Sequence, residues 1–184
     1  MRQLLLLAMF MAISACSSMT TVEIENKRGE LDAMAQKAID GLIEKDPELK
    51  DDFDASLGYA VANMKVTKVP IFGAGGGEGV YANKETGKRY YFTVSRLDIG
   101  GGWGARSYKA LVLINDAKVL DRFDGGAWEF QAGVEASAGT AAAEGATGTG
   151  NEGFTLHVLS DGGASATATA RVIRIKINSE LTGY

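Results

Sequence analysis

The sequence predicts an α+β domain: an N-terminal helix packed on a twisted, mostly antiparallel β-sheet or partial barrel with glycine-rich strands. Between residues 30 and 45, apolar residues recur in steps of three and four, which is typical of one buried stripe on a helix. From residue 57 onward, short segments rich in β-branched and aromatic residues are separated by turn residues, which is typical of strands. The 184 residues include 24 glycines and only two prolines, and many of the glycines lie inside the predicted strands.

Three helices are predicted. The first presents an apolar stripe at Leu31, Met34, Ala35, Ala38, Ile39, Leu42 and Ile43. Its opposite face carries acidic and basic residues together, so we expect it to pack on its own domain rather than lie on a membrane surface. A short second helix is expected in DPELKDDF, with Asp46 as N-cap and Pro47 at its first position. A third is expected in NDAKVLDRFDGG, where Asn115 can cap the start and Gly125 can end it.

The remaining segments are predicted as strands and loops. The strands before the third helix are GYAVANMKV, VPIFGAGGGEGVYAN, KRYYFTVSRLDIGGGWGARSY and KALVLIN, with NKETGK as a hairpin loop. The strands after it are AWEFQAGVEASAG, FTLHVLS and ASATATARVIRIKIN, with a mobile loop from Thr140 to Gly153. In the last strand Ile173, Ile175 and Ile177 alternate with basic residues, which predicts one apolar and one polar face.

The glycines follow a period of two in two of these strands, at positions 73, 75, 77 and 79 and at 100, 102 and 104. A dinucleotide-binding loop needs glycine at i, i+2 and i+5, and no starting point at Gly73, Gly75 or Gly100 provides the third glycine. A period of two instead places the glycines on one face of each strand. Such a bare face indicates close packing, the favoured interpretation, or a groove that admits an acyl chain. The aromatic residues expected across it are Tyr90, Phe92, Trp103 and Trp128.

The first residues have the layout of a secretory signal, in which Arg2 precedes an apolar run and then small residues. The apolar run is shorter than the roughly 20 residues that a membrane-spanning helix needs. The segment ISAC, which ends at Cys16, resembles the bacterial lipobox. The resemblance implies that Cys16 is acylated and becomes the first mature residue. The alternative is an ordinary signal peptide followed by a stray cysteine.

The expected organisation is a signal peptide over residues 1–15, a lipidated tether over residues 16–25 and a single domain over residues 26–184. In the sorting pattern of such lipoproteins, aspartate after the cysteine favours the inner membrane. Ser17 therefore indicates the cell envelope at the periplasmic face of the outer membrane. The net charge of −4 argues against nucleic acid as a partner, because phosphates attract a clustered basic surface.

The order of the segments resembles the SYLF domain, a family described as lipid-binding. The resemblance runs from about Leu57 to Phe154 and is carried by GY, GAGGGEGV, RYYFTV, IGGGWGA, ALVLIN, VLDRF and AWEFQAGVEASA. It implies the α+β fold and a lipid ligand. The basic amphipathic helix of eukaryotic members is not matched by the mixed-charge helix here, and the C-terminal glycine-lysine signature is blurred. Phosphoinositide recognition and actin association are therefore not carried over.

Basic residues near the glycine segments are candidate partners for a phospholipid head group, because cations pair with phosphate. They are Lys65, Lys68, Arg96 and Arg106. The bare strand faces at Gly75, Gly77 and Gly102 are candidate sites for an acyl chain. The same four cations can instead be ordinary solvated surface residues.

An enzyme is not expected. His157 is the only histidine and lies in an apolar strand, where a hydrogen-bonded structural role is favoured over catalysis or metal binding. With Cys16 acylated, no Cys/His pair remains for nucleophilic or metal chemistry. The carboxylates Asp51, Asp52 and Asp54 are interpreted as a solvated turn rather than a calcium site. We therefore predict no catalytic residue, no metal and no cofactor.

Two functions remain open from the sequence. The first is a membrane-anchored lipoprotein whose domain binds phospholipid. The alternative is a structural lipoprotein of the cell envelope that meets protein partners and binds no lipid, in which the glycine faces serve packing alone.

Overall fold

The structure is a computed structural model that describes residues 18–126, 129–130, 134–140 and 153–183. The predicted signal peptide, Cys16, Trp128 and most of the predicted loop from Thr140 to Gly153 lie outside the described residues. The helices are α1 (Thr21–Lys45), α2 (Leu49–Ala55), α3 (Ala117–Asp124) and α4 (Ser179–Thr182). The strands are β1 (Gly58–Lys68), β2 (Phe72–Asn83), β3 (Arg89–Ile114), β4 (Glu129–Phe130), β5 (Val134–Thr140) and β6 (Phe154–Ile177).

The strands form one antiparallel sheet that curls into a half-barrel. Strands β1 and β2 make a hairpin; β2 pairs with the first part of β3, and β1 pairs with its last part. Strand β6 runs along the other edge of β3, and β4 and β5 add to β6. Because β3 pairs with both strands of one hairpin, the sheet must turn round on itself. The predicted α+β fold, with a helix and a partial antiparallel barrel, is confirmed.

The glycine-rich segment in the middle of β3 is where this long strand bends around the tip of the β1–β2 hairpin, residues 69–71. Gly100 and Gly104 have φ values of 136° and 138°, which other residues rarely adopt. Within the bend, the N–H of Gly100 donates to the carbonyl of Ile71 at 3.0 Å, and the N–H of Gly102 donates to that of Pro70 at 3.2 Å. The tip is thereby fastened to the bend by backbone hydrogen bonds.

Two pairs of predicted strands prove to be single strands. The segments KRYYFTVSRLDIGGGWGARSY and KALVLIN form one continuous strand, β3, and FTLHVLS and ASATATARVIRIKIN form β6. The division was wrong because the residues at the two junctions do not stop the β3–β6 ladder, which continues through both of them. A register shift between Ser107 and Tyr108 accommodates the irregularity instead.

The two faces of the sheet bury separate sets of side chains. The outer face is covered by the apolar stripe of α1, and its buried members are Leu31, Ala35, Ala38, Ile39, Leu42, Leu49, Val61, Val80, Tyr91, Leu111, Leu113 and Leu181. The inner face is closed at one end by α3, and its buried members include Met64, Val66, Tyr81, Phe92, Val94, Val119, Leu120 and Phe123. The predicted packing of the first helix on its own domain agrees with this arrangement.

Helix boundaries depart from the sequence-based expectation in detail. Helix α1 begins at Thr21, where Thr20 and Glu23 form a capping box. Asp46 does not cap α2; its N–H donates to the carbonyl of Leu42 at 2.9 Å, so it ends α1, and α2 begins only at Leu49. Asp116, not Asn115, caps α3, because its carboxylate accepts from the N–H groups of the first turn. The predicted end of α3 at Gly125 is confirmed.

The C-terminal end of α3 is joined to the sheet by a group of polar side chains around Asp124. Its carboxylate accepts from the Tyr81 hydroxyl at 2.6 Å and from the Asn83 amide at 2.9 Å. Burial, together with the Asp124 carboxylate, raises the pKa of Tyr81 far above its usual value, so this phenol stays protonated. These bonds fix α3 over the inner face at the end opposite the hairpin tip.

Replacing Gly29 with alanine is expected to stabilise the protein by about 1 kcal/mol, because glycine in a helix interior costs that much relative to alanine. Gly29 lies exposed in α1, and a Cβ placed there meets no atom within 4 Å. Gly41 in the same helix is the control, since its Cβ would lie 3.0 Å from Leu159. Urea unfolding measures both variants. A Gly29→Ala midpoint at or below that of Gly41→Ala would contradict the expectation.

Candidate functional site

The alternating glycines of β2, at positions 73, 75, 77 and 79, point into the half-barrel and are closely packed; we call them the glycine stripe. A Cβ on Gly77 would lie 2.2 Å from the carbonyl oxygen of Asn63 and 2.6 Å from the sulfur of Met64. A Cβ on Gly75 would lie 2.8 Å from Val66. On this inner face the distances leave no room for a side chain, and therefore none for an acyl chain at Gly75 or Gly77. The close-packing interpretation accounts for this stripe.

The aromatic neighbours of the glycine stripe divide between the two faces. A Cβ on Gly79 would lie 2.5 Å from the ring of Phe92, so Phe92 lies across the stripe as expected. Trp103 does not, because it is 73% exposed. Gly102, next to it, contributes its backbone N–H to the bend of β3.

Three of the four predicted cations lie together inside the half-barrel. Lys68, Arg96 and Arg106 are 5%, 3% and 6% exposed, and Arg96 pairs with the buried carboxylate of Asp98. The glycines make room for them, because Arg96 stands opposite Gly75 in the strand register, and Asp98 stands opposite Gly73. We call Lys68, Arg96, Asp98, Arg106 and Tyr108 the internal polar cluster.

The geometry of the internal polar cluster is that of a structural ion pair. The Arg96 guanidinium donates from Nε and Nη2 to the two carboxylate oxygens of Asp98, each at 2.8 Å, and from Nη1 to the Tyr108 hydroxyl at 2.8 Å. Burial acts to lower the pKa of Arg96, but its bonds to Asp98 and Tyr108 outweigh this and raise the pKa above its usual value. The guanidinium of Arg106 lies 5.5 Å from the centre of the Tyr108 ring.

Lys65 is separated from the other three cations. It lies on the outer face of β1, where it is exposed, while Lys68 of the same strand points inward. The four predicted residues therefore do not form one exposed head-group site. The internal polar cluster lies inside the half-barrel, and Lys65 belongs to a different surface.

Lys65 borders a cavity of about 310 Å³ between α1 and the β1–β2 hairpin, which we call the α1 pocket. It is lined by Lys27, Glu30, Leu31, Met34, Asn63, Lys65, Gly76, Gly77 and Glu78. One wall is closed by an ion pair in which Lys27 Nζ lies 2.7 Å from a carboxylate oxygen of Glu78. The pocket thus combines charges of both signs with an apolar floor.

The hairpin tip and the adjoining part of β3 carry a group of exposed apolar side chains. We call it the tip patch; its members are Val69, Ile71, Phe72, Leu97, Ile99 and Trp103, each more than half exposed. Contiguous exposed apolar surface marks an interaction site on a soluble domain. Tryptophan in particular suits a boundary between water and an apolar phase, since it has an apolar ring and a polar N–H.

At this end of the barrel the usual placement of polar and apolar residues is reversed. Along β3, Arg96 and Asp98 point inward and are buried, whereas Leu97 and Ile99 point outward and are exposed. In a water-soluble sheet the apolar face is ordinarily the buried one. Sequence reasoning missed the patch, although the alternation of Leu97, Ile99 and Trp103 was visible.

In the part of the chain that the structure describes, the remaining candidate from the sequence is the histidine of β6. His157 lies half-buried in β6, with Nε2 3.3 Å from the Thr155 hydroxyl, and burial lowers its pKa. Among the described residues, no group of His, Cys, Asp or Glu side chains is arranged to hold a metal ion. Within those same ranges, no helix is both long and apolar enough to cross a bilayer.

Fold and surface together define an α+β domain with a closely packed glycine stripe, an internal polar cluster and an exposed apolar tip. No protein-family model matches the chain. The chain is similar to Beta cell expansion factor A of Aeromonas veronii, with 28% identity over 152 residues. The aligned part is 83% of this chain and 58% of that protein, so this chain spans less than two thirds of its relative's length. The match is distant and gives the SYLF resemblance partial support.

Proposed function

We propose that this protein is a non-catalytic SYLF-family lipoprotein whose domain binds the surface of a phospholipid bilayer through the tip patch. The observation that carries the proposal is the reversed placement in β3, with the Arg96–Asp98 pair buried inside and Leu97 and Ile99 exposed outside. Exposed apolar side chains such as these are stabilised when they leave water for an apolar phase. The SYLF resemblance, to which the distant relative gives partial support, is compatible with a lipid-binding role.

The tip patch is large enough to bind a membrane reversibly. Each of its six side chains contributes on the order of 1 kcal/mol when its exposed part leaves water, so the patch contributes several kcal/mol in all. Trp103 suits the boundary at which Trp and Tyr are enriched on membrane proteins. The patch can therefore lie at head-group depth without crossing the bilayer.

Acylation of Cys16 would make this weak contact persistent. Helix α1 begins at Thr21, so residues 16–20 hold the domain within about 18 Å of an acyl anchor. Tethering converts patch binding into an intramolecular step at high effective concentration. The proposed location is the periplasmic face of the outer membrane, and the proposed partners are the membrane and its phospholipids.

A structural envelope lipoprotein remains the second candidate. It is favoured by one observation, the packing of the glycine stripe and the internal polar cluster, since neither needs a ligand. In that case the tip patch would be a protein interface. Vesicle binding distinguishes the two.

A Phe72→Ser, Trp103→Ser double variant is expected to lose vesicle binding by about thirtyfold or more, since it removes the two aromatic members of the patch. The comparison is made by flotation in a Cys16→Ala background, which removes the expected acyl anchor, with vesicles of phosphatidylethanolamine and phosphatidylglycerol. Val22→Ser is the control, because Val22 is 66% exposed but lies outside the patch. Equal flotation of the double variant and the control would contradict the bilayer proposal and favour the structural lipoprotein.

A further inference from the structure

The geometry points to the α1 pocket as the binding site for the head group of a zwitterionic phospholipid, one that carries a phosphate and an ammonium group. The acyl chains of that lipid would lie against the tip patch. This inference rests on the proposed function, since it specifies which lipid the bilayer-bound domain selects.

The pocket is built at the crossing of α1 over the hairpin. Lys27 of α1 pairs with Glu78 of β2 at 2.7 Å, and its Nζ lies 3.9 Å from Glu30. Lys65 stands opposite Gly76 in the strand register, so no side chain of β2 lies directly across from it. Within the described part of the chain, Lys65 forms no ion pair closer than 4.0 Å, and its ammonium can bind a phosphate.

The charges of the pocket match a zwitterion better than an anion. Lys27 and Lys65 supply two positive charges, and Glu30 and Glu78 supply two negative ones. With a phosphate near Lys65 and an ammonium near the two carboxylates, each of the four charged side chains has a partner of opposite charge. A head group with a phosphate and no cation would leave the carboxylates facing an anion, which is unfavourable.

The pocket lies at the depth that a head group occupies when the tip is immersed. It opens on the outer face of β1, the same face that carries the tip patch. Four residues of extended chain, about 13 Å, separate Lys65 from Val69. Interfacial insertion reaches about 5–10 Å into the head-group and acyl boundary. With Ile71 and Phe72 at that depth, Lys65 stands at the level of the lipid phosphates.

The test is titration of the full chain with dihexanoyl phosphatidylethanolamine and dihexanoyl phosphatidylglycerol, both below their micelle concentrations. We expect phosphatidylethanolamine to bind about tenfold more tightly. Lys65→Gln is expected to weaken both lipids. Glu78→Gln is expected to abolish or reverse the preference, because the pocket then gains net positive charge. Lys37→Gln is the matched control, since Lys37 is exposed on α1 and does not line the pocket.

Thermal melts of each variant show whether a change in binding comes from loss of the fold.

Glycerophosphoethanolamine has the head group without acyl chains. It is expected to bind at least about tenfold more weakly than the lipid, and equal binding would contradict the contact assigned to the tip patch. Equal affinity for the two lipids, or an unchanged preference in folded Glu78→Gln, overturns the head-group assignment while vesicle binding by the tip patch stands. Absence of any vesicle binding by the unmodified chain overturns the proposed function as well.

Discussion

Gly79→Ala is expected to destabilise the domain by about 3 kcal/mol, at the upper end of the range for overpacking a core. The new methyl carbon would lie 2.3 Å from the carbonyl oxygen of Val61 and 2.5 Å from the ring of Phe92. The backbone atom cannot move without breaking the β1–β2 ladder, and Phe92 is itself buried. Both neighbours therefore resist the insertion.

The matched control is Gly101→Ala. Gly101 is also a strand glycine, but a Cβ there meets no atom within 4 Å, so its unfolding midpoint should stay near that of the unmodified chain. Urea unfolding followed by circular dichroism measures both. If the two variants had the same urea midpoint, close packing would not be the reason for the glycine stripe.

Asp98→Ala is expected to cost about 3–5 kcal/mol, because it leaves a buried guanidinium without its carboxylate. The side chains of Arg96 and Asp98 are each 1% exposed, and their two hydrogen bonds are both 2.8 Å long. Water cannot replace the lost acceptors without opening the barrel. The midpoint of urea unfolding should fall sharply.

Asp54→Ala is the control for loss of a carboxylate at the surface. Asp54 pairs with Lys50 in α2, and both side chains are more than half exposed, so removing this pair should leave the unfolding midpoint unchanged. An Asp98→Ala variant as stable as Asp54→Ala would mean that the internal polar cluster does not hold the half-barrel together.

The sequence was most informative about elements whose signal is local. The stripe of α1, the alternation in the last strand and the period-two glycines all follow from side-chain spacing along one segment. The packing of Gly77 against Asn63 depends on register between two strands, and register is not visible in either strand alone. Packing could therefore be favoured from the sequence, but its partners could not be named.

The candidate site was harder to predict because it depends on which way each strand faces. Lys65 and Lys68 are three residues apart in one strand, so they point to opposite faces, and Lys65 alone is exposed. The tip patch was missed because apolar residues were expected on the buried face. Near Leu97 the polar side chains of β3 are the buried ones. This reversal follows from the bend of β3 around the hairpin, which the sequence does not reveal.

The most direct test of the central claim is the fluorescence of Trp103 in a Trp128→Phe variant bound to vesicles of brominated phosphatidylethanolamine and phosphatidylglycerol. Trp103 is 73% exposed, so its emission without vesicles should be that of an indole in water. If the tip patch enters the bilayer interface, vesicles should shift the emission to shorter wavelength, and bromine on the acyl chains should quench it. Unshifted and unquenched emission from protein that co-sediments with the vesicles would contradict the account.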